Sequence, residues 1–459
     1  MKRVKMLLCA VLAALMLTGC GGQGTVGGDK LPANSVDLTS YTVVQALYPV
    51  YPKQPLESDY YTSGGEWDDE AFEADWEAYE AALETIGKGG DAVVDTTALT
   101  GFAEDTLAQV FFGDENTVYS PVSLYMALAM LTELTEGETR QQVMTLLNAE
   151  DADALRQWAQ RLWMQLYCDD GLTTLRLGNA AFVREGAEVH EKALDVLADS
   201  YYASAYRVPM GTEEADKAIA GWLDQQTNGL LAEDTAAIRT QESDLLRLYN
   251  TLYYKAGWID EFFERGNTED TFTTADGEEQ TATFMHRTVD GGSYLQGEDY
   301  LAASLSLRGG KMTFVLPDEG VSPQSLLQRE GFLSELKGEY DGYAKLKWSV
   351  PKFDVHSSVE LNGALQALGV TRAFDMNSAE FAPLADWQVY VSKVMQAARV
   401  KIDEKGVEAA AYTEVVAADS AAPADELPLV EMDLDRPFIF VIWKGDVPLF
   451  IGTVQFLAA

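Results

Sequence analysis

Histidine and cysteine are scarce in this 459-residue sequence, with three of each, and cations are outnumbered, 33 Lys+Arg against 73 Asp+Glu. The histidines, His190, His286 and His356, lie in unrelated contexts without an HExxH or comparable spacing, so no metal site is expected. A net charge of −40 excludes a duplex nucleic-acid binder, whose affinity comes from cations that neutralise phosphates. The same field opposes docking on anionic polysaccharides or anionic membrane surfaces. No GxSxG elbow and no phosphate-cradling glycine loop is present, and no repeat of fixed period. With 73 carboxylates, an acid–base pair could be drawn anywhere and none is singled out. No catalytic residue and no cofactor is expected, and the chain does not read as an enzyme.

A hydrophobic fraction of 47% with 10% aromatics excludes wholesale disorder. The one early apolar run, Met6–Leu17, is too short to span a bilayer and follows the cations Lys2, Arg3 and Lys5. Residues 1–19 therefore read as a removable export signal. The run ends in Leu17-Thr18-Gly19-Cys20, which resembles a bacterial lipobox. That resemblance implies a lipid on Cys20, the chain's contact with the membrane, and an exported protein held at the outer face of a bacterial cell or released from it. Cys9 leaves with the signal, so Cys168 is left without a disulfide partner and stability must come from core burial. The stretch Trp158–Cys168 reads as an amphipathic helix, which makes Cys168 a packing residue.

Residues 20–91 hold the anchor, a Gly-rich tether at Gly21–Gly28 and an irregular stretch at Tyr41–Tyr61. They close with an acidic helix around 66–87. Its apolar stripe is Phe72, Trp76, Tyr79, Leu83 and Ile86, and its other face carries only acids. From 92 to 459 helical patterns come first, up to about residue 235, and strand patterns follow, including a hairpin over Thr271–Phe284 turning at Asp276-Gly277. That order predicts an α+β class in one large domain.

The informative segment runs from Glu404 to Pro423. It follows a predicted strand at Tyr390–Ile402 and reads as a long exposed loop before Arg436-Pro437-Phe438. Counted in twos, Val407, Ala409, Ala411, Thr413, Val415 and Ala417 are all small or apolar. The other parity, from Glu408 through Ala410, Tyr412 and Glu414, carries both charges and the bulky ring. The loop is written as a latent strand with one face to bury.

Glu404-Lys405-Gly406-Val407-Glu408-Ala409-Ala410-Ala411 resembles the hinge of the serpins, the serine protease inhibitor family. Asn116–Ser123 resembles the start of that family's buried central helix, and Asn250–Trp258 its strand beside the insertion site. Val350-Pro351-Lys352-Phe353, the helix from Leu365 to Phe374, and Asp435–Phe440 with Leu449–Val454 follow in the family's order. The resemblance implies helices packed around a large central sheet with smaller sheets and an exposed reactive-centre loop. It also implies a mechanical activity: a target serine protease forms an acyl-enzyme with the loop, which then inserts as a strand. The alternative it leaves is a non-inhibitory member acting as substrate, chaperone or interaction protein. A monomer is expected, without a heparin-type polyanion as partner.

The family's usual spacing from Gly406 places the scissile bond at Ser420-Ala421, with Ala418-Asp419, Ala421-Ala422 and Glu426-Leu427 as further candidates. The small residues of Ala417–Ala422 suit an elastase-like or subtilisin-like pocket. Where the family typically has histidine this chain has Gln396, expected to complete a buried polar cluster with Ser120, Ser123 and Asn250. Val407 stands where the family usually has threonine or serine.

Overall fold

The computed structural model of the chain describes residues 36–62, 64–88, 94–340, 342–408 and 427–457. Helices dominate to residue 235 and strands thereafter, an α+β architecture. The first helix, α1, spans Asp69–Thr85, its N-terminus capped by the Asp68 carboxylate, which accepts from the amide of Ala71 at 3.1 Å. None of its side chains is fully buried, and its stripe packs as a ladder of rings, Phe72 to Trp76 and Trp76 to Tyr79, each 5.7 Å apart.

Helix α2 (Pro121–Leu134) is apolar nearly all round, and a helix with no polar face is stable only inside a core. Ser120 caps it and Pro121 supplies a preset first turn. Helices α3 (Glu191–Tyr201) and α4 (Glu213–Gln226) are amphipathic and lie against the sheet described next.

Eight strands make the first sheet: β1 (Thr42–Val44), β2 (Cys168–Asp169), β3 (Thr174–Arg184), β4 (Ala203–Val208), β5 (Leu246–Gly257), β6 (Phe353–Glu360), β7 (Met395–Asp403) and β8 (Gly406–Val407). Their order is β1–β4–β3–β5–β8–β7–β6, with β2 paired to β3. β8 is antiparallel to both β5 and β7, so those two long strands run parallel with a two-residue strand between their ends. The second sheet has nine strands, from Leu429–Asp433 at one edge to Thr117–Tyr119 at the other. The smaller sheets expected beside the first are fused into this one, because the 19-residue strand Glu279–Gly297 pairs with neighbours along its whole length.

Three local readings shift. The strand expected from Tyr390 begins at Met395, since Val394 donates its amide to the Asn362 side chain at 2.7 Å and not to a ladder. The helix expected to reach Cys168 spans Ala152–Leu166, and buried Cys168 opens β2. Within Tyr41–Tyr61, β1 pairs with β4 at the sheet edge, and Tyr48 packs against Trp163 at 5.2 Å. Three strand residues are too few for a readable period.

Candidate functional site

The site is the slot between β5 and β7, and it is built from one turn upward. β7 ends at Asp403, Glu404 and Lys405 turn the chain, and β8 runs back between the two long strands. Ile402 pairs with Val407 and Asp403 with Gly406 on one side; Gly257 pairs with Gly406 and Ala256 with Val407 on the other. Val407 is 3% exposed and belongs to the main core. Among the described residues β5 and β7 are joined as neighbours through β8 alone.

Gly406 has no substitute here. Its φ is +153°, and a Cβ would stand 2.2 Å from the carbonyl oxygen of Ala256 and 2.7 Å from the Cα of Gly257. The turn is tied down by its carbonyls: Trp258 donates its amide to Lys405 and its indole to Asp403, both at 2.9 Å, and Phe262 donates to Glu404 at 2.9 Å. The Glu404 carboxylate, in a residue only 6% exposed, receives the Lys352 ammonium and the Asn267 amide, each at 2.5 Å. Burial pushes this carboxyl up, but Lys352 and the hydrogen bonds outweigh it and hold it below the ordinary range.

Glu408 follows in a left-handed conformation, φ +46°. Its amide donates to the Lys401 carbonyl at 2.9 Å, and its carboxyl accepts from the Tyr253 hydroxyl at 3.0 Å. Burial pushes it up to about 7, against the pull of Tyr253, Lys255, Arg399 and Lys401.

At the far end of the slot, Gln396 exchanges two hydrogen bonds with Ser120: the Ser120 amide donates at 2.8 Å and the Gln396 amide group donates back to the Ser120 carbonyl at 2.9 Å. The Ser120 hydroxyl accepts from the Ser123 amide at 3.3 Å, and the Ser123 hydroxyl donates to Asn250. Asn250 then donates to Asn179 on β3, and Asn179 to the Tyr201 carbonyl at 2.6 Å. The chain of polar groups thus links β7, the N-terminus of α2, β5, β3 and the end of α3. Asn179 was not anticipated. A lone asparagine inside the apolar run Leu177–Val183 was the available signal, since a buried amide needs partners.

Of the residues named from sequence, Glu404, Gly406, Val407 and Glu408 meet at the mouth of the slot, and Ser120, Ser123, Asn250 and Gln396 at its far end. Ala409, Ala410, Ala411, Ser420 and Ala421, and the anchor residue Cys20, lie outside the described residues. No group of three or more His, Cys, Asp or Glu that could hold a metal occurs among the described residues, and no helix among them is long and apolar enough to cross a membrane.

A family model described as "Serpin (serine protease inhibitor)" matches residues 97–455. A serpin-like protein of Thermococcus kodakarensis is 28% identical over 374 residues, 78% of this chain and 84% of that one. Serpin-Z2B of Triticum aestivum is 27% identical, covering 74% and 89%, and Plasminogen activator inhibitor 1 of Neovison vison is 27% identical, covering 75% and 86%. Among solved structures, the thermophilic serpin Tengpin in its native state aligns with a TM-score of 0.71 at 24% identity, over 80% of this chain and 96% of that one. Tengpin in its latent state aligns with a TM-score of 0.68 at 22% identity, over 80% and 100%.

Proposed function

The chain belongs to the serpin family, and from that premise we propose that it inhibits elastase-like or subtilisin-like serine proteases by loop cleavage, acyl-enzyme trapping and strand insertion. Insertion is the family's known device; what is proposed is that this chain retains it. The observation that carries the reading is β8, two residues of loop already paired on both sides.

Continuing its register would set Ala409 opposite Val400 and Tyr254, Ala411 opposite Ala398 and Leu252, and Thr413 opposite Gln396 and Asn250. Those β7 and β5 partners are buried or half-buried and apolar until the last pair, where the polar cluster begins. The loop's own parity matches: alanines meet the apolar rows, and the first hydroxyl meets Gln396 and Asn250. About ten new ladder hydrogen bonds at roughly 0.5–1.5 kcal/mol each give on the order of 10 kcal/mol, comparable to a domain's net stability. A spring of that size is enough to displace a tethered protease.

In this reading Ser420-Ala421 is the bait, no catalytic group or cofactor takes part, and lipid on Cys20 holds the inhibitor at the outer face of a bacterial cell membrane. Two measurements test it. Purified protein mixed with elastase- and subtilisin-type proteases should give a covalent band on denaturing gels, with the new N-terminus at Ala421. Cleavage without an adduct would instead make the chain a substrate of the non-inhibitory kind. Expressed in a bacterial host, the chain should partition with membranes and Cys20→Ser should release it.

A further inference from the structure

Glu408 is one residue past the paired strand; its amide keeps the row, donating to Lys401, but its carboxyl sits in the wrong one. Continuing the ladder would set it on the outward parity between Lys401 of β7 and Lys255 of β5. Instead its left-handed backbone and its bond from Tyr253 carry the carboxyl to the next row. There it lies beside the connector that follows α4. Asn228 of that connector donates to the Tyr253 hydroxyl at 3.4 Å, and Arg399 of β7 donates to the Leu230 carbonyl at 3.1 Å. One carboxyl oxygen, Oε2, is buried with no hydrogen-bond partner among the described residues.

We propose that Glu408 is a proton-dependent latch on strand insertion: uncharged, it stays docked against Tyr253 and stops the ladder at Val407; charged, it leaves for the row between Lys255 and Lys401 and the ladder continues. This rests on the inhibitory reading for its consequence but not for its geometry. A buried carboxyl whose second oxygen has no donor is favourable only while neutral, since an ion with half its lone pairs unsatisfied is costly to bury. The row between two lysines, on the outward face, favours the ion. The charged and titratable groups facing Glu408 are Tyr253 and Lys255 on β5 and Arg399 and Lys401 on β7. Behind them stand Asp354, which is paired with Arg399 at 2.7 Å, His356 on β6, and Arg176 on β3, which acts on Tyr253. Arg399 is engaged by Asp354 and by the Leu230 carbonyl.

The sign follows from the docked carboxyl titrating at about 7 and a solvated one in the ordinary range near 4.5. The docked form is fully favoured below the ordinary value, loses ground as the pH climbs from there, and reaches its floor above about 7.

The test reads the hinge without any protease. Hydrogen exchange of the peptide covering 403–408 in the full chain, corrected for intrinsic rates, should show protection rising at least about tenfold between pH 5.5 and 7.5, as the ladder continues past Val407. Glu408→Gln, permanently neutral, should stay at the lower level and flat with pH. Tyr253→Phe, which removes the docking bond, should raise protection at pH 5.5 toward the wild-type value at 7.5. An identical pH profile in wild type and Glu408→Gln overturns the latch, whether or not the chain inhibits. With a subtilisin-type protease at pH 6 and 8, the covalent fraction of wild type relative to Glu408→Gln should rise several-fold at the higher pH. A constant ratio, with normal adduct formation, also overturns it, whereas no adduct from either protein sinks the inhibitory reading and leaves the exchange result to decide the latch.

Discussion

Gln396 and Ser120 are joined by two reciprocal hydrogen bonds, amide to side-chain oxygen at 2.8 Å and side-chain amide to carbonyl at 2.9 Å. Both residues are buried, at 8% and 1% exposure, so each bond is made where water cannot replace it. The pair closes the far end of the slot by fastening β7 to the cap of the central helix.

Gln396→Ala should therefore cost about 1–3 kcal/mol, because it leaves the Ser120 amide buried without a partner while the Ser120 carbonyl keeps only the Leu124 amide at 3.2 Å. Urea unfolding measures this directly. Met395→Ala, one residue away and 45% exposed, is the control and should change stability by less than about 0.5 kcal/mol.

Gly406→Ala should unpair β8. The new methyl would meet the Ala256 carbonyl at 2.2 Å, a backbone atom that cannot swing aside. Hydrogen exchange at 403–408 should rise to near that of a free segment while the melting of the rest of the domain shifts by only a few degrees. An unchanged hinge would mean that β5 yields, and the slot would have to be wider than its pairing implies.

Val407→Arg should turn an inhibitor into a substrate. Val407 faces the core between Ile402 and Ala256, all three buried, and a guanidinium there has no anion to meet. Cleavage of the loop should proceed at the wild-type rate and the covalent band should vanish. Persistence of the band would refute the register from which the rows above are counted.

How much of this was legible beforehand can be seen residue by residue. Val407 was visible as the start of the loop's alternation, and Gly406 through the resemblance of Glu404–Ala411 to the serpin hinge. Gln396 was visible only through the resemblance, standing where the family typically has histidine. Tyr253 and Asn228 gave no sign, because their role depends on where the connector after α4 crosses the sheet, and that is a contact between segments far apart in sequence. β1 was hidden for the same reason: its pairing with β4 spans some 160 residues and fixes only three.

The hinge carries two carboxyls of opposite behaviour, and their pH signatures separate. Glu404 is held below the ordinary range by Lys352 and Asn267, so the stability it lends the turn is present above that range and is lost as pH falls through the lowered value. Glu408, raised, acts in the reverse sense and at higher pH. Lys352→Met should leave the Glu404 carboxylate with one donor and weaken the turn by about 1–2 kcal/mol at neutral pH. Melting followed from pH 7 down to 3 should show the difference between wild type and variant shrinking as Glu404 protonates.

The charge imbalance bears on how fast a target arrives. A net charge of −40 sets up a long-range field that attracts cationic proteins and repels anionic ones. Ions screen that field over about 10 Å at 0.1 M salt and about 3 Å at 1 M. If the target is a cationic protease, the second-order rate of adduct formation should fall steeply between those salt concentrations, while the partition between adduct and cleaved product stays fixed. The separation is diagnostic, because steering acts before the loop is bound and the slot between β5 and β7 acts after it is cut. A rate indifferent to salt, at constant partition, would assign the acidity to solubility alone and leave the insertion chemistry untouched.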